Sequence, residues 1–309
     1  MKLSKINKKS VRKIFNPIRI IKAVRIQKKS KKNPDRCRND AQLKFYSSVF
    51  CSDYLHYGYF KDVNTDPADI SFNDFHQAQV DYALQFVDHI ELKDLPILDI
   101  GCGMGGLTNL FYEKGFKAYA LTPDLHQVDY IKAKCPNIPV IGTKFEEIDS
   151  VKYQNYFGTL ITSESLQYLH LEHSLDLMNK LLVKEGTWLV CDYFRKGESH
   201  EKSGHNWDYF SQTIAKNGWT IISETDITLN VAVTLGYAYE FCKRIGLPLY
   251  EFIIGKIKLK QAGFSYLAND LLENIDQNLH SGIEVVKPQR FIDEKKYVFL
   301  IIKRTVDCS

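Results

Sequence analysis

The chain has 309 residues, enough for one large core or one core with a small accessory region, since single cores stop growing near about 250 to 300 residues. Its hydrophobic content of 44% and charged content of 25% are average for soluble globular proteins and exclude wholesale disorder and fibrous repeats. The net charge of +4 conceals an asymmetry: residues 1–38 carry 15 Lys or Arg against one acid, Asp35, and the remainder holds 26 bases and 36 acids.

A basic leader therefore precedes an acidic body, and no nucleic-acid partner is expected for that body. The seven cysteines form no CxxC pair, which argues against a disulfide framework and a zinc site. No apolar run reaches the roughly 18 residues that span a bilayer, and the first residues lack the apolar stretch and cleavage site of a secretory signal. The expectation is a cytoplasmic protein with peripheral contact on a membrane.

Residues 1–40 read as a basic amphipathic leader and linker. Val11, Ile14, Phe15, Ile18 and Ile21 recur at helical spacing, with Arg12, Lys13, Arg19, Lys22 and Arg25 largely between them. Pro17 bends such a helix, because proline removes one backbone hydrogen bond. The pattern suits a bilayer interface, with aliphatic groups among acyl chains and bases against anionic headgroups, and predicts membrane contact through residues 1–30. A disordered tail, a targeting leader and a nucleic-acid arm are the alternatives; the interleaved isoleucines favour lipid.

Next comes a helix over Phe75–His89. Short β-branched or aromatic runs then alternate with helical patterns, predicting strands near 96–100, 116–121, 138–142, 157–163, 187–194, 219–226 and 297–304. This alternation predicts an α/β fold, a doubly wound and mostly parallel seven-stranded sheet. Residues 230–288 break the rhythm with long apolar helical stretches, Leu235–Ile245, Leu249–Leu259 and Ala268–Leu279. They predict a helical cap inserted before the last strand, with the core formed by 41–229 and 289–309.

Leu98-Asp99-Ile100-Gly101-Cys102-Gly103-Met104-Gly105-Gly106 follows an apolar strand and opens a helix. Glycines there permit a tight turn against a ligand, and a helix start presents free N–H groups. Cys102 among them reads as a small packing residue. Gly101, Gly103 and Gly106 also satisfy the dinucleotide pattern GxGxxG, but the second strand ends Ala120-Leu121-Thr122-Pro123 without the acid that a ribose normally takes.

The stretch DIGCGMGG resembles the first motif of class I S-adenosylmethionine-dependent methyltransferases. The resemblance covers roughly residues 45–195 and implies their Rossmann-like fold, S-adenosyl-L-methionine as cofactor, and Asp99, Gly101, Gly103 and Gly105 around its methionine part. Thr122 with Gln127 resembles the T-x-x-x-x-Q turn of the cyclopropane-fatty-acid synthase group, which binds the ribose and adenosine region. Phe145-Glu146-Glu147-Ile148 is similar to that group's W-E-x-F segment, implying Phe145 against the purine and Glu146 on its amino group.

Tyr54-Leu55-His56-Tyr57-Gly58-Tyr59-Phe60 looks like the H-x-G-Y/W segment of tocopherol and sterol methyltransferases, which closes over cofactor and substrate. Tyr57 is thereby assigned to the cofactor, where an aromatic ring attracts a sulfonium. Ser163-Glu164-Ser165-Leu166-Gln167-Tyr168 resembles the E-S-x-E-H segment of the same groups, with Ser163 added to the cofactor set. Gln167 and Tyr168 stand where those families carry Glu and His, so cyclopropane formation is not expected.

Methyl transfer is an in-line displacement at an activated sulfonium, and positioning supplies much of the catalysis. A base is required only for an acceptor that loses a proton; His56, Tyr168 and Tyr193 are the catalytic candidates, with His170 and His173 behind them. The expected acceptor is a small, lipophilic molecule, and no metal is expected. A nicotinamide-dependent oxidoreductase and a catalytically degenerate binding or membrane-scaffold protein are the competing readings.

Overall fold

The computed structural model describes residues 52–197 and 203–305, together with Ile21, Lys22 and Arg25, which are helical. The leader reading otherwise lies outside the described residues. Helix α1, Phe72–Val87, starts three residues before the predicted position because Ser71 and Asp74 cap it reciprocally: the Ser71 hydroxyl accepts from the Asp74 N–H, and the Asp74 carboxylate accepts from the Ser71 N–H. Its buried face is Ala78, Gln79, Tyr82, Ala83 and Phe86, spaced at three and four residues.

The sheet has seven strands: β1 Ile97–Ile100, β2 Ala118–Leu121, β3 Val140–Ile141, β4 Phe157–Ser163, β5 Leu182–Arg195, β6 Trp219–Asp226 and β7 Lys295–Arg304. Helices α2 Gly106–Glu113, α3 Leu125–Lys134, α4 Leu171–Leu181 and α5 Trp207–Lys216 alternate with them. The strand order is β3-β2-β1-β4-β5-β7-β6. β1 to β5 run parallel, and β7 lies antiparallel between β5 and β6.

This is the doubly wound, mostly parallel seven-stranded sheet that the alternation predicts. Strands β1 and β4 are buried along almost their whole length because helices cover both faces. The core centres on Leu98, Leu160, Trp188, Val190, Trp219 and Leu300, with the two indoles edge to face at 5.9 Å. The chain winds from β1 toward β3 and then from β4 toward β6, so the topological switch point lies at the carboxyl ends of β1 and β4, where open α/β sheets bind ligands.

Between β6 and β7 the chain is helical: α6 Thr228–Phe241, a π turn Cys242–Gly246, α7 Leu247–Lys260, α8 Ala262–Leu267, α9 Asn269–Val285 and α10 Pro288–Glu294. The described residues fall into two compact units, a sheet unit within Val49–Tyr237 and Lys287–Ser309 and a helical unit that includes Ala238–Val286. Among the described residues, no helix is long and apolar enough to cross a membrane.

Candidate active site

β1 carries Asp99 next to its carboxyl end, at the switch point. The carboxylate is buried, accepts a hydrogen bond from the Thr108 hydroxyl at 2.6 Å, and is pushed up to about 6 by burial, with the Thr108 bond acting in the opposite sense. The turn after β1 is left-handed at Gly101, Gly103 and Gly105. A Cβ on Gly101 would stand 2.5 Å from the Ser165 Cβ, so this glycine lets the turn press against the loop after β4.

At Gly103 and Gly105 a Cβ would meet Leu55 and Ile131. Helix α2 begins at Gly106 without a side-chain cap, and the first N–H groups of a helix have no intrahelical partner. Such donors suit a carboxylate. Cys102 is buried and its thiol is pushed up by burial, in keeping with a packing role.

Thr122 follows β2, and its hydroxyl meets the Gln127 side chain of α3 at 2.5 Å. The two residues of the T-x-x-x-x-Q pattern are thus in contact. Phe145 sits in a single 3-10 turn after β3, is buried, and belongs to the main core; Glu146 beside it is half-buried and accepts from the His170 N–H at 3.3 Å. Ser163, the last residue of β4, lies 3.1 Å from the Tyr82 hydroxyl.

The segment 54–60 is tied to α1 and α6. The Gln79 amide donates to the carbonyls of Tyr54 and His56, Tyr59 N–H to the Ala78 carbonyl, and Gly58 N–H to the Thr234 hydroxyl. His56 is buried and stacked on Tyr82 at 4.1 Å. Its Nδ1 lies 2.8 Å from the Tyr57 carbonyl, which fixes the proton there, and its Nε2 is buried without a partner. Burial lowers its pKa to about 4, against the pull of the Tyr57 carbonyl, so the ring is neutral near pH 7.

The loop after β4 carries the residue that motif reading left without a role. Glu164 adopts a left-handed backbone at φ 51°, which is costly for a residue with a Cβ. Its Oε1 accepts from the Tyr57 N–H at 2.8 Å and the Tyr297 hydroxyl at 2.7 Å, and burial pushes it up to about 7. Asp192 of β5 is buried nearby; it accepts from the N–H groups of Leu166 and Tyr193, and burial followed by the Glu164 charge pushes it up to about 8.

Tyrosines complete the surround. Tyr297 of β7 lies 2.9 Å from Tyr82, oxygen to oxygen, and the Tyr57 ring packs against Tyr297 and Phe291 at about 6 Å. The Tyr193 hydroxyl donates to Gln167 Oε1 at 2.7 Å and lies 2.5 Å from Ser203; burial pushes it up to about 12. Tyr168 is 78% exposed, and His170 and His173 are exposed as well.

Sequence reasoning missed Asp192, Tyr82 and Tyr297. An acid inside the apolar run Trp188-Leu189-Val190-Cys191-Asp192 was the available signal, since a carboxylate in a buried strand needs partners. Nothing in sequence brings Tyr82 to Tyr297. Among the described residues, no group of three or more His, Cys, Asp or Glu is placed to hold a metal ion.

A family model described as a methyltransferase domain matches residues 72–228, which run from α1 through β6 to the first residue of α6. The chain belongs to this methyltransferase family. It is a class I S-adenosylmethionine-dependent enzyme, and S-adenosylmethionine is its methyl donor.

An uncharacterized methyltransferase of Alkaliphilus oremlandii is 26% identical over 156 residues, or 47% of this chain and 69% of that protein. Among solved structures, a putative sarcosine dimethylglycine methyltransferase from Galdieria sulphuraria superposes with a TM-score of 0.64 at 13% identity, covering 85% of this methyltransferase and 97% of that chain. Geranyl diphosphate C-methyltransferase from Streptomyces coelicolor, in complex with Mg2+, geranyl-S-thiolodiphosphate and S-adenosyl-L-homocysteine, gives 0.60 at 15% identity, covering 84% and 91%. These likenesses show the shared fold.

Proposed function

We propose that this methyltransferase moves a methyl group from S-adenosylmethionine to a small, lipophilic acceptor, and that Glu164 is the group that receives the acceptor's proton where one must leave. The bound cofactor supplies a methyl on a positively charged sulfur, already activated for in-line displacement. In the proposal the first N–H groups of α2 and the turn Gly101–Gly105 hold its methionine part, and Asp99 orients that turn from below. Thr122 and Gln127 take the ribose side, Phe145 and Glu146 the adenine side, and Tyr57 and Ser163 line the approach to the sulfur.

The observation that carries the reading is Glu164: a carboxyl held in a strained turn at the carboxyl end of β4, near neutral pKa, and ringed by Tyr57, Tyr297 and Tyr82. A base works best when its pKa lies near the operating pH. His56 at about 4 is too weak a base, and Tyr193 at about 12 holds its proton too firmly; both are proposed as positioning groups. Tyr168, being exposed, is given no part. The aromatic surround suits an apolar acceptor, and a geranyl compound is the named ligand of one structural relative.

Calorimetric titration with S-adenosylmethionine, S-adenosylhomocysteine and nicotinamide dinucleotides tests the cofactor assignment. Saturable binding of the first two, lost in Asp99→Ala, is expected. Binding of neither overturns the residue assignment. The acceptor class is tested by radiolabelled methyl transfer to isoprenoid, quinone-like and fatty compounds; transfer only to polar amines would overturn the lipophilic reading. Peripheral membrane contact through residues 1–30 belongs to the same proposal, on the strength of the leader's interleaved bases and isoleucines.

A further inference from the structure

Helix α7 is apolar in sequence, Leu-Pro-Leu-Tyr-Glu-Phe-Ile-Ile-Gly-Lys-Ile-Lys-Leu-Lys, yet none of its residues is buried. A helix this apolar in a globular protein is normally covered. At 100° per residue, Leu249, Phe252, Ile253, Lys256, Leu259 and Lys260 fall within about a third of its circumference. Leu249, Phe252, Ile253 and Leu259 are 55, 62, 47 and 82% exposed. The stripe is therefore a continuous apolar face with two lysines set into it.

α9 in the same helical unit also exposes apolar side chains, without lysines among them. Leu271, Ile275 and Val285 are exposed and share one side. Tyr266 and Leu267 of α8 are exposed between the two helices. The charge is segregated too: residues 242–260 hold Lys243, Arg244, Lys256, Lys258 and Lys260 against Glu251.

Two occupants could cover such a face, an anionic lipid surface or a second copy of the chain. Lysines decide between them. Lys256 and Lys260 lie on the stripe, and the cores of protein interfaces are depleted of lysine because a buried ammonium needs a partner. At a bilayer interface the lysine stem lies along the apolar surface while its head reaches the phosphates. Lys256 already takes that posture, its Nζ lying 5.3 Å over the Phe252 ring.

We infer that the exposed face of α7, with Leu249, Phe252, Ile253 and Leu259 as the inserted groups and Lys256 and Lys260 against headgroups, docks this methyltransferase on an anionic lipid surface. The inferred face lies in a different part of the sequence from residues 1–30. The inference does not depend on which acceptor is methylated.

Flotation of the full chain with phosphatidylcholine vesicles, and with mixed phosphatidylcholine–phosphatidylglycerol vesicles, tests it. Binding to the mixed vesicles and little to phosphatidylcholine alone is expected. Phe252→Glu/Ile253→Glu is expected to weaken binding by about tenfold or more, from the apolar area no longer buried. Lys256→Gln/Lys260→Gln is expected to cost at least about tenfold on mixed vesicles, at roughly 1 kcal/mol per base near the surface, and nothing on phosphatidylcholine.

Unchanged cofactor binding and melting temperature show that each variant folds, as their exposed positions allow. Wild-type binding by both variants overturns the inference, leaving attachment to the leader alone. A wild-type dimer in light scattering that Phe252→Glu/Ile253→Glu converts to monomer, with no vesicle binding by either, also overturns it in favour of a second copy.

Discussion

Glu164 concentrates the chemistry on a single side chain. Three things act on it at once: a left-handed backbone, two hydrogen bonds to one oxygen, and burial that lifts it to about 7. Gln keeps the accepting oxygen but not the ionisable proton. For an acceptor that loses a proton, Glu164→Gln is expected to lower kcat by about a hundredfold or more with little change in cofactor affinity, and to remove the rise in rate through about pH 7. A kcat loss with the pH profile intact would assign Glu164 a structural role instead. Asp99 offers a second check. Its Thr108 bond lowers a pKa that burial raises to about 6, so Thr108→Val is expected to raise it further and to weaken S-adenosylmethionine binding several-fold at neutral pH, measured by calorimetry.

Among the elements, the turn between β1 and α2 is the least tolerant. Gly101 has a φ of +78°, and a Cβ there would stand 2.5 Å from Ser165, whose own hydroxyl donates to the Ile100 carbonyl at 2.5 Å. Gly101→Ala is expected to cost at least about 2 kcal/mol in urea unfolding, from left-handed strain and the clash together. By contrast, Gly255 of α7 has nothing within 4 Å of an added Cβ, and Gly255→Ala is expected to stabilise its helix by up to about 1 kcal/mol in the same measurement. The seven strands were legible because their β-branched runs are short and regularly interrupted. Bounds were less so: β5 begins at Leu182, earlier than its apolar run, because Lys184 and Glu185 are exposed at its start.

Over the whole molecule, buried titratable groups set the response to pH. Asp99, Glu164 and Asp192 sit at about 6, 7 and 8 in the folded state, above the roughly 4 of an unfolded chain. They bind protons more tightly when folded, so the stability they lend is full below about pH 4 and is lost as pH rises through those values. His56 has the opposite sign: at about 4 when folded and about 6.5 when unfolded, it lends stability present above about 6.5 and lost as pH falls through about 4. Among these four groups, only carboxylates titrate from about 6.5 to 8. Tm is expected to fall across that interval in scanning calorimetry, and to fall less in Glu164→Gln.

The sequence by itself determined the α/β alternation, the glycine turn after an acid, and the likeness to methyltransferases, because each is written in contiguous residues a few positions apart. Only the tertiary structure brought Tyr57 of the amino-terminal segment, Tyr82 of α1, Glu164 after β4, Asp192 of β5 and Tyr297 of β7 to one place. Those residues are separated by as many as 240 positions, from 57 to 297. Their meeting depends on the antiparallel insertion of β7 beside β5, a pairing that no local pattern encodes. The raised carboxyl pKa values follow from the same cause, since burial depends on which distant side chains exclude water.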